Sequence, residues 1–167
     1  VLKRVEGFTR FNTPRVAQLT QRSNQFNLRT VRYAETEIAA LGSDPDAEGM
    51  AFSLSDRFGD SGLVSVVIMR RRPEGEYFID TWLMSCRVLK RGMEETMLDV
   101  LAAKAKEVGC NKLIGYYYPT KKNKMVEEMY ASFGFSSAGQ DANGSLWEMS
   151  LDNYERHGKY IRVKAEL

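Results

Sequence analysis

The chain has 167 residues, of which 43% are hydrophobic, 28% charged and 11% aromatic, the make-up of a soluble globular domain rather than of a disordered segment. A domain of this length buries roughly 70% of the surface its unfolded chain exposes, so its core needs neither a disulfide nor a metal. Twenty-four Lys and Arg against 22 Asp and Glu leave a net charge of +2, too balanced to argue for nucleic acid. No apolar run reaches the ~20 residues that span a bilayer, so no membrane span is expected, and the opening VLKRVEGFTR lacks the apolar stretch of a signal peptide.

The two cysteines, Cys86 and Cys110, form no CxxC pair, and the single histidine is His157. This set predicts no metal site and no Ser-His-Asp hydrolase, and reduced thiols fit a cytoplasmic setting. A first residue of Val rather than Met is expected of a fragment of a longer polypeptide.

The pattern predicts a first helix over 13–24, with Thr13 as a cap and Pro14 at the first helical position. Extended chain follows over 28–33, then a short helix over 34–41 closed by Gly42, then a loop over 43–48. Strands are expected over 50–56, 63–70 and 77–89, joined by the turns around Gly59 and Gly75. Met93, Met97, Leu101, Ala105 and Val108 recur at helical steps and predict a helix over 92–108 that stops at Gly109. A short aromatic strand over 112–118, a helix over 123–133 and a hairpin of 135–140 with 145–151 complete the order. The domain is expected over 13–151, with 1–12 a linker and 152–167 a peripheral tail.

The segment between the strand ending at Leu89 and the strand starting at Lys112 is a βαβ unit, which makes those two strands parallel inside a largely antiparallel sheet. Leu89, Lys90, Arg91, Gly92 and Met93 form a strand-to-helix junction whose free N–H groups and basic side chains suit a phosphate. A plain turn, with Gly92 supplying the tight geometry, fits as well, and Glu94 and Glu95 in the first helical turn oppose an anion. Asn123 and Tyr130 lie two helical turns apart on one face; Tyr130 can equally be a core aromatic.

Alternation along 77–89 puts Phe78, Asp80, Trp82, Met84, Cys86 and Val88 on one face. On so apolar a face, Asp80 is either a desolvated general base of raised pKa or a carboxylate satisfied by backbone or Arg partners. Cys86 is either a nucleophile near a helix N-terminus or an inert buried thiol. Arg87, Lys90, Arg91, Lys121, Lys122 and Lys124 come from two loops at one sheet edge and form a positive patch that could dock an acidic carrier protein, or merely a solvated rim.

The Asn123–Tyr130–Gly134–Phe135 spacing resembles a motif of the GNAT superfamily of N-acetyltransferases, and the order of elements resembles that fold, an α/β domain with a mixed, mostly antiparallel sheet flanked by helices. More specifically, Arg15–Leu19, Asn24–Thr30, Asp56–Asp60, Ile79–Leu89 and Tyr118–Thr120 with Lys122–Asn123 resemble the C-terminal part of FkbH-like proteins, which join a haloacid-dehalogenase-like (HAD) domain to a GNAT-like domain. The resemblance implies glyceryl transfer to an acyl carrier protein on the way to methoxymalonyl units, with a phosphopantetheine thioester or an acyl-CoA as the cofactor. It also implies a HAD-like domain N-terminal to this chain, whose DxDx(T/V) motif the chain lacks.

Of the GNAT loop Q/R-x-x-G-x-G/A, mapped onto Leu89–Glu94, only Gly92 is present. The resemblance implies Asp80 as base, Tyr130 as the acid that reprotonates a thiolate, and Leu89 to Met93 with Asn123 at the cofactor. A non-catalytic docking or scaffold domain is the alternative, and an acetyl-CoA-dependent N-acetyltransferase a third. For transfer, the two parallel strands must spread apart and open a slot for a pantetheine chain.

Overall fold

The computed structural model describes residues 2–56, 59–88, 92–152, 154–157 and 162–166. Strand β1 (Leu2–Glu6) leads to helix α1 (Thr13–Arg22), a two-residue strand β2 (Phe26–Asn27) and helix α2 (Glu35–Gly42). Three long strands follow: β3 (Ala47–Asp56), β4 (Gly59–Arg72) and β5 (Glu76–Met84). Helix α3 (Met93–Glu107) crosses to β6 (Lys112–Tyr117); a 3-10 turn (Lys124–Val126) and the short helix α4 (Met129–Ser132) lead to the hairpin β7 (Ser136–Gln140) and β8 (Ser145–Ser150). Strand β9 (Arg162–Glu166) ends the described chain.

Eight strands run in the order β7-β8-β6-β5-β4-β3-β1-β9, with β2 pairing β5 off this path. The sheet is antiparallel except where β6 meets β5 and β9 meets β1. The α/β fold class and the parallel βαβ pair agree with the sequence reading. The ends do not: 1–12, expected as a linker, contains β1, and the tail returns as β9 alongside it. Both strands complete the sheet edge next to β3, a non-local pairing that five-residue segments do not announce.

The two faces of the sheet are covered by different helices. One core joins α3, α4 and the β7–β8 hairpin to Val67, Met69, Tyr77, Ile79, Trp82 and Met84. The other joins α1 and α2, with Tyr33, to Ala51, Val66, Ile68 and Leu83. Every residue from Tyr77 to Met84 is therefore buried.

Strand β5 does not alternate throughout. Ile68 faces Thr81 while Met69 faces Ile79, so Asp80 is an extra residue with no partner across the β4 ladder. This β-bulge shifts the side-chain phase. Ile79 and Trp82, three residues apart, consequently share the α3/α4 core. Asp80 instead turns toward Tyr33 and Arg70, and the face proposed to hold Asp80 and Trp82 together does not exist.

The helix expected over 123–133 is likewise broken. A 3-10 turn at Lys124–Val126 precedes α4, which is four residues long. Val126, Met129, Tyr130 and Phe133 still reach the core, because 3-10 and α turns both return a side chain to the same side after three or four residues.

Tyr130 lies flat against β6. A Cβ placed on Gly115 would stand 2.4 Å from its ring carbon Cζ, so only glycine lets the ring seat there. Gly115→Ala forces the ring off the strand, and overpacking of this kind costs about 1–3 kcal/mol. Denaturant unfolding of the variant checks this, with the midpoint expected to fall and the slope to stay constant.

Candidate functional site at the divergence of two strands

Strands β5 and β6 pair only from Glu76–Lys112 to Ile79–Gly115. Beyond that point they separate, as the proposed slot requires. The gap, however, is occupied by the chain itself. Phe26 and Asn27 pair antiparallel with Met84 and Leu83, and the Leu28 N–H donates to the Trp82 carbonyl at 3.2 Å. On the other side the Tyr118 N–H donates to the Leu28 carbonyl at 2.9 Å. The segment thus serves the backbone groups of both separating strands.

Asn123 fastens this segment. Its side-chain amide donates to the Asn27 carbonyl at 2.9 Å and to the Tyr118 carbonyl at 3.0 Å. Its Oδ1 accepts from the Thr120 N–H at 2.8 Å and the Tyr117 hydroxyl at 3.2 Å. The residue is fully buried and both ends of its amide are engaged, which leaves nothing for a cofactor; its expected ligand role is replaced by that of a staple. Asn27 in turn donates to the Ser23 carbonyl and accepts from the Thr30 N–H. Thr30 itself sits at φ 58°, a left-handed conformation costing about 1–2 kcal/mol for a residue with a Cβ.

Asp80 is 4% exposed and fully engaged. Its carboxylate accepts from the Tyr33 hydroxyl at 2.6 Å, the Arg70 Nε at 2.9 Å and the Thr81 hydroxyl at 2.8 Å, with an Arg29 nitrogen 3.3 Å away. Burial alone would raise the carboxyl pKa; the Tyr33 hydroxyl, Arg70, Thr81 and the Arg29 charge together hold it below the ordinary value. The raised pKa expected of a base is not found. The reciprocal effect is on Tyr33, pushed up to about 12 by burial and by the carboxylate it serves.

Tyr130 belongs to the other face. It is 1% exposed, its hydroxyl has no hydrogen-bond partner among the described residues, and burial raises its pKa. The indole N–H of Trp82, edge-on to it with ring centroids 6.2 Å apart, is also unpartnered. Asp80 faces the α1/α2 layer and Tyr130 the α3/α4 layer, so the two are not assembled into one acid–base pair.

Strand β5 ends at Met84, two residues before Cys86, which sits on a 3-10 turn (Cys86–Val88) and is exposed. Of the two readings of Cys86, the inert buried thiol is overturned; Cys110 is the buried one. Gly92, at φ 71°, precedes α3, and Met93 is a core side chain rather than a ligand contact. Leu89, Lys90 and Arg91 lie outside the described residues. No cluster of His, Cys, Asp and Glu among the described residues is arranged for a metal ion. No helix of the described chain is long and apolar enough to cross a membrane.

The Cys86 turn opens on a cleft of about 790 Å³ between α1 and the end of β5. Its walls carry Arg15, Arg22, Arg87 and Lys122 beside Ser23–Phe26. None of these four cations lies within 4 Å of a carboxylate among the described residues. Burial, then the charges of Arg87 and Arg22, lower the Arg15 pKa, so these three cations lie close to one another. Arg87 and Lys122 belong to the expected patch; Lys121 and Lys124 do not line the cleft. Arg15 and Arg22 were missed as a pair, although a spacing of seven on one helix puts them on a common face.

No protein-family model matches the sequence, and no curated protein matches it. Solved structures do. The ribosomal-protein-S18-alanine N-acetyltransferase of Escherichia coli aligns with a TM-score of 0.65 at 12% identity, over 95% of this chain and 99% of its own. The GNAT domain of S. lividans PAT gives 0.67 at 16% identity, over 87% and 89%. Ard1 from Thermoplasma volcanium gives 0.67 at 14%, over 90% and 97%. The chain has the GNAT acyltransferase fold. On that fold the candidate site is the divergence of β5 and β6 together with the cationic cleft beside it.

Two measurements test this geometry. Asp80→Asn removes the buried counter-charge of Arg29 and Arg70, leaving Arg70 only the more exposed Asp44 at 4.0 Å, and is expected to destabilise by about 3 kcal/mol, the low end for breaking a buried pair. Because the folded carboxyl lies below its unfolded value of about 4, the wild-type contribution is whole above that pH and fades as pH falls through the folded value. Unfolding as a function of pH is expected to show this loss in the wild type and not in Asp80→Asn. Mild alkylation of the folded chain with iodoacetamide, read by mass spectrometry, is expected to label Cys86 and spare Cys110.

Proposed function

We propose that this chain is the GNAT-like domain of an FkbH-like enzyme, and that it takes part in glyceryl transfer to an acyl carrier protein by receiving the carrier's phosphopantetheine arm. The observation that carries the reading is the set of four cations around the cleft at the end of β5, none with a carboxylate within 4 Å among the described residues. A phosphodiester at that position gains charge-assisted hydrogen bonds from Arg side chains, and an acidic carrier surface is steered toward them. Phosphate removal falls to the HAD-like domain in this reading, since its acidic motif is not in this chain.

The domain's role is then to dock rather than to catalyse. Asp80 is held as a carboxylate by two arginines and two hydroxyls, which makes it a poor proton acceptor near neutral pH. The gap where a thioester would lie beside Tyr130 holds Phe26–Leu28 instead.

Transfer within the domain is the second reading, and the exposure of Cys86 in the same cleft favours it. There the pantetheine sulfur forms its bond to the glyceryl carbonyl as the Cys86 Sγ–acyl bond breaks, and the pantetheine thiol proton passes to Cys86.

Calorimetry separates the readings. A phosphopantetheinylated carrier protein is expected to bind in the micromolar range and the unmodified carrier more weakly, with Arg22→Ala and Arg87→Ala each costing about tenfold in affinity. Tight binding of acetyl-CoA with no response to the carrier would replace this reading with an N-acetyltransferase. A mass increase of one glyceryl unit on Cys86 after exposure to a glyceryl-loaded carrier would establish the second.

A further inference from the structure

The segment between the diverging strands separates two cavities of opposite character. On the α1 side lies the cationic cleft. On the α3/α4 side lies a slot of about 290 Å³ bordered by Glu94, Glu95 and Glu128. Phe26 and Met84 line both, so this cross-strand pair is the wall between them.

The wall is made of backbone that behaves as a bound extended chain would. It donates the Leu28 N–H to the Trp82 carbonyl of β5 on one side and accepts from the Tyr118 N–H on the other, and Asn123 holds its middle carbonyl. Behind it lie two polar groups with no partner among the described residues, the Trp82 indole N–H and the Tyr130 hydroxyl, both on buried residues. At its far end Thr30 is held at φ 58° with its own hydroxyl buried and unpartnered. A well-fitted permanent wall leaves neither a strained residue nor orphaned donors at its margins.

We infer that Phe26–Leu28 is a strap standing in the place of an extended, amide-bearing ligand chain, and that it acts as the specificity determinant excluding free coenzyme A. Coenzyme A enters the gap between β5 and β6 only by displacing the strap, and displacement joins the two cavities into one passage. Asn27 is the latch, because its side chain folds the segment by bonding Ser23 and Thr30. This inference does not depend on the identity of a carrier protein or acyl group.

The test titrates coenzyme A into the native chain and into Asn27→Ala and Phe26→Ala, each confirmed to unfold cooperatively, while amide hydrogen exchange is followed at Leu28 and Tyr118. The wild type is expected to bind with a dissociation constant weaker than about 1 mM and to keep both amides protected. At least one folded variant is expected to bind at least about tenfold tighter, with exchange at both amides accelerated by the ligand. A third variant, Thr30→Gly, relieves the left-handed residue without removing a side-chain hydrogen bond, and is expected to slow exchange at Leu28 in the absence of ligand. Micromolar binding to the wild type with Leu28 and Tyr118 still protected overturns the inference. So does a failure of both folded loosened variants to bind tighter, or unchanged exchange at Leu28 in Thr30→Gly.

Discussion

Parallel strands β5 and β6 share a ladder for four residues and then part, and that parting organises the centre of the molecule. An edge of backbone N–H and C=O groups opened inside a covered sheet has no water to turn to, and each group left unpaired costs about 1–3 kcal/mol. Strand β5 is buried on both faces along its whole separated half. Something must therefore lie against it, and Phe26–Leu28 does. The short β2, the position of Asn123 and the path of the loop after α1 all follow from that requirement.

The same divergence explains why Asp80 is where it is. A bulge at this residue turns its carboxylate toward Arg29, the residue immediately after the strap, and toward Arg70 on β4. Arg29 also donates to the Asp80 carbonyl at 3.1 Å and stacks over Phe78 with its guanidinium carbon 5.0 Å from the ring centroid. One buried carboxylate thus anchors the end of the strap, the bulge and the neighbouring strand together. A group tied so firmly into the framework is unsuited to collecting and releasing a proton during a reaction cycle, whatever its position in related folds.

The long elements were legible because their signals are local. The steps of three and four from Met93 to Val108 with a stop at Gly109 mark α3, and Val- and Ile-rich runs mark β4 and β5. The bulge was not, since an inserted residue leaves composition unchanged while reversing every side chain beyond it; Asp80 and Trp82 were assigned one face for that reason. The strap is not legible because extended chain is expected only from residue 28 onward, and a two-residue strand has meaning only through partners more than fifty positions away. Of the two readings of Cys86, the buried one rests on a strand running to residue 89, whereas the chain leaves the sheet after Met84. The Asn123 to Tyr130 spacing was read as a helical face, whereas Asn123 caps a 3-10 turn and spends its side chain on the strap.

Charge completes the picture that the strands begin. The cleft on the α1 side presents four cations with no carboxylate within 4 Å among the described residues, and the slot on the other side presents three glutamates, two of them in the first turn of α3. An anionic ligand is drawn to the first and turned away from the second. In the proposed reading, a phosphate-bearing chain arrives from the α1 side, where Arg15, Arg22, Arg87 and Lys122 line the cleft together with Phe26 and Cys86. In the same reading, an acyl-CoA approaching along α3 would meet Glu94 and Glu95 at the helix end whose dipole otherwise favours phosphates. In that reading the acidic first turn and the strap act in the same sense, both disfavouring a diphosphate on the α3 side, while the cationic cleft favours a phosphodiester on the α1 side.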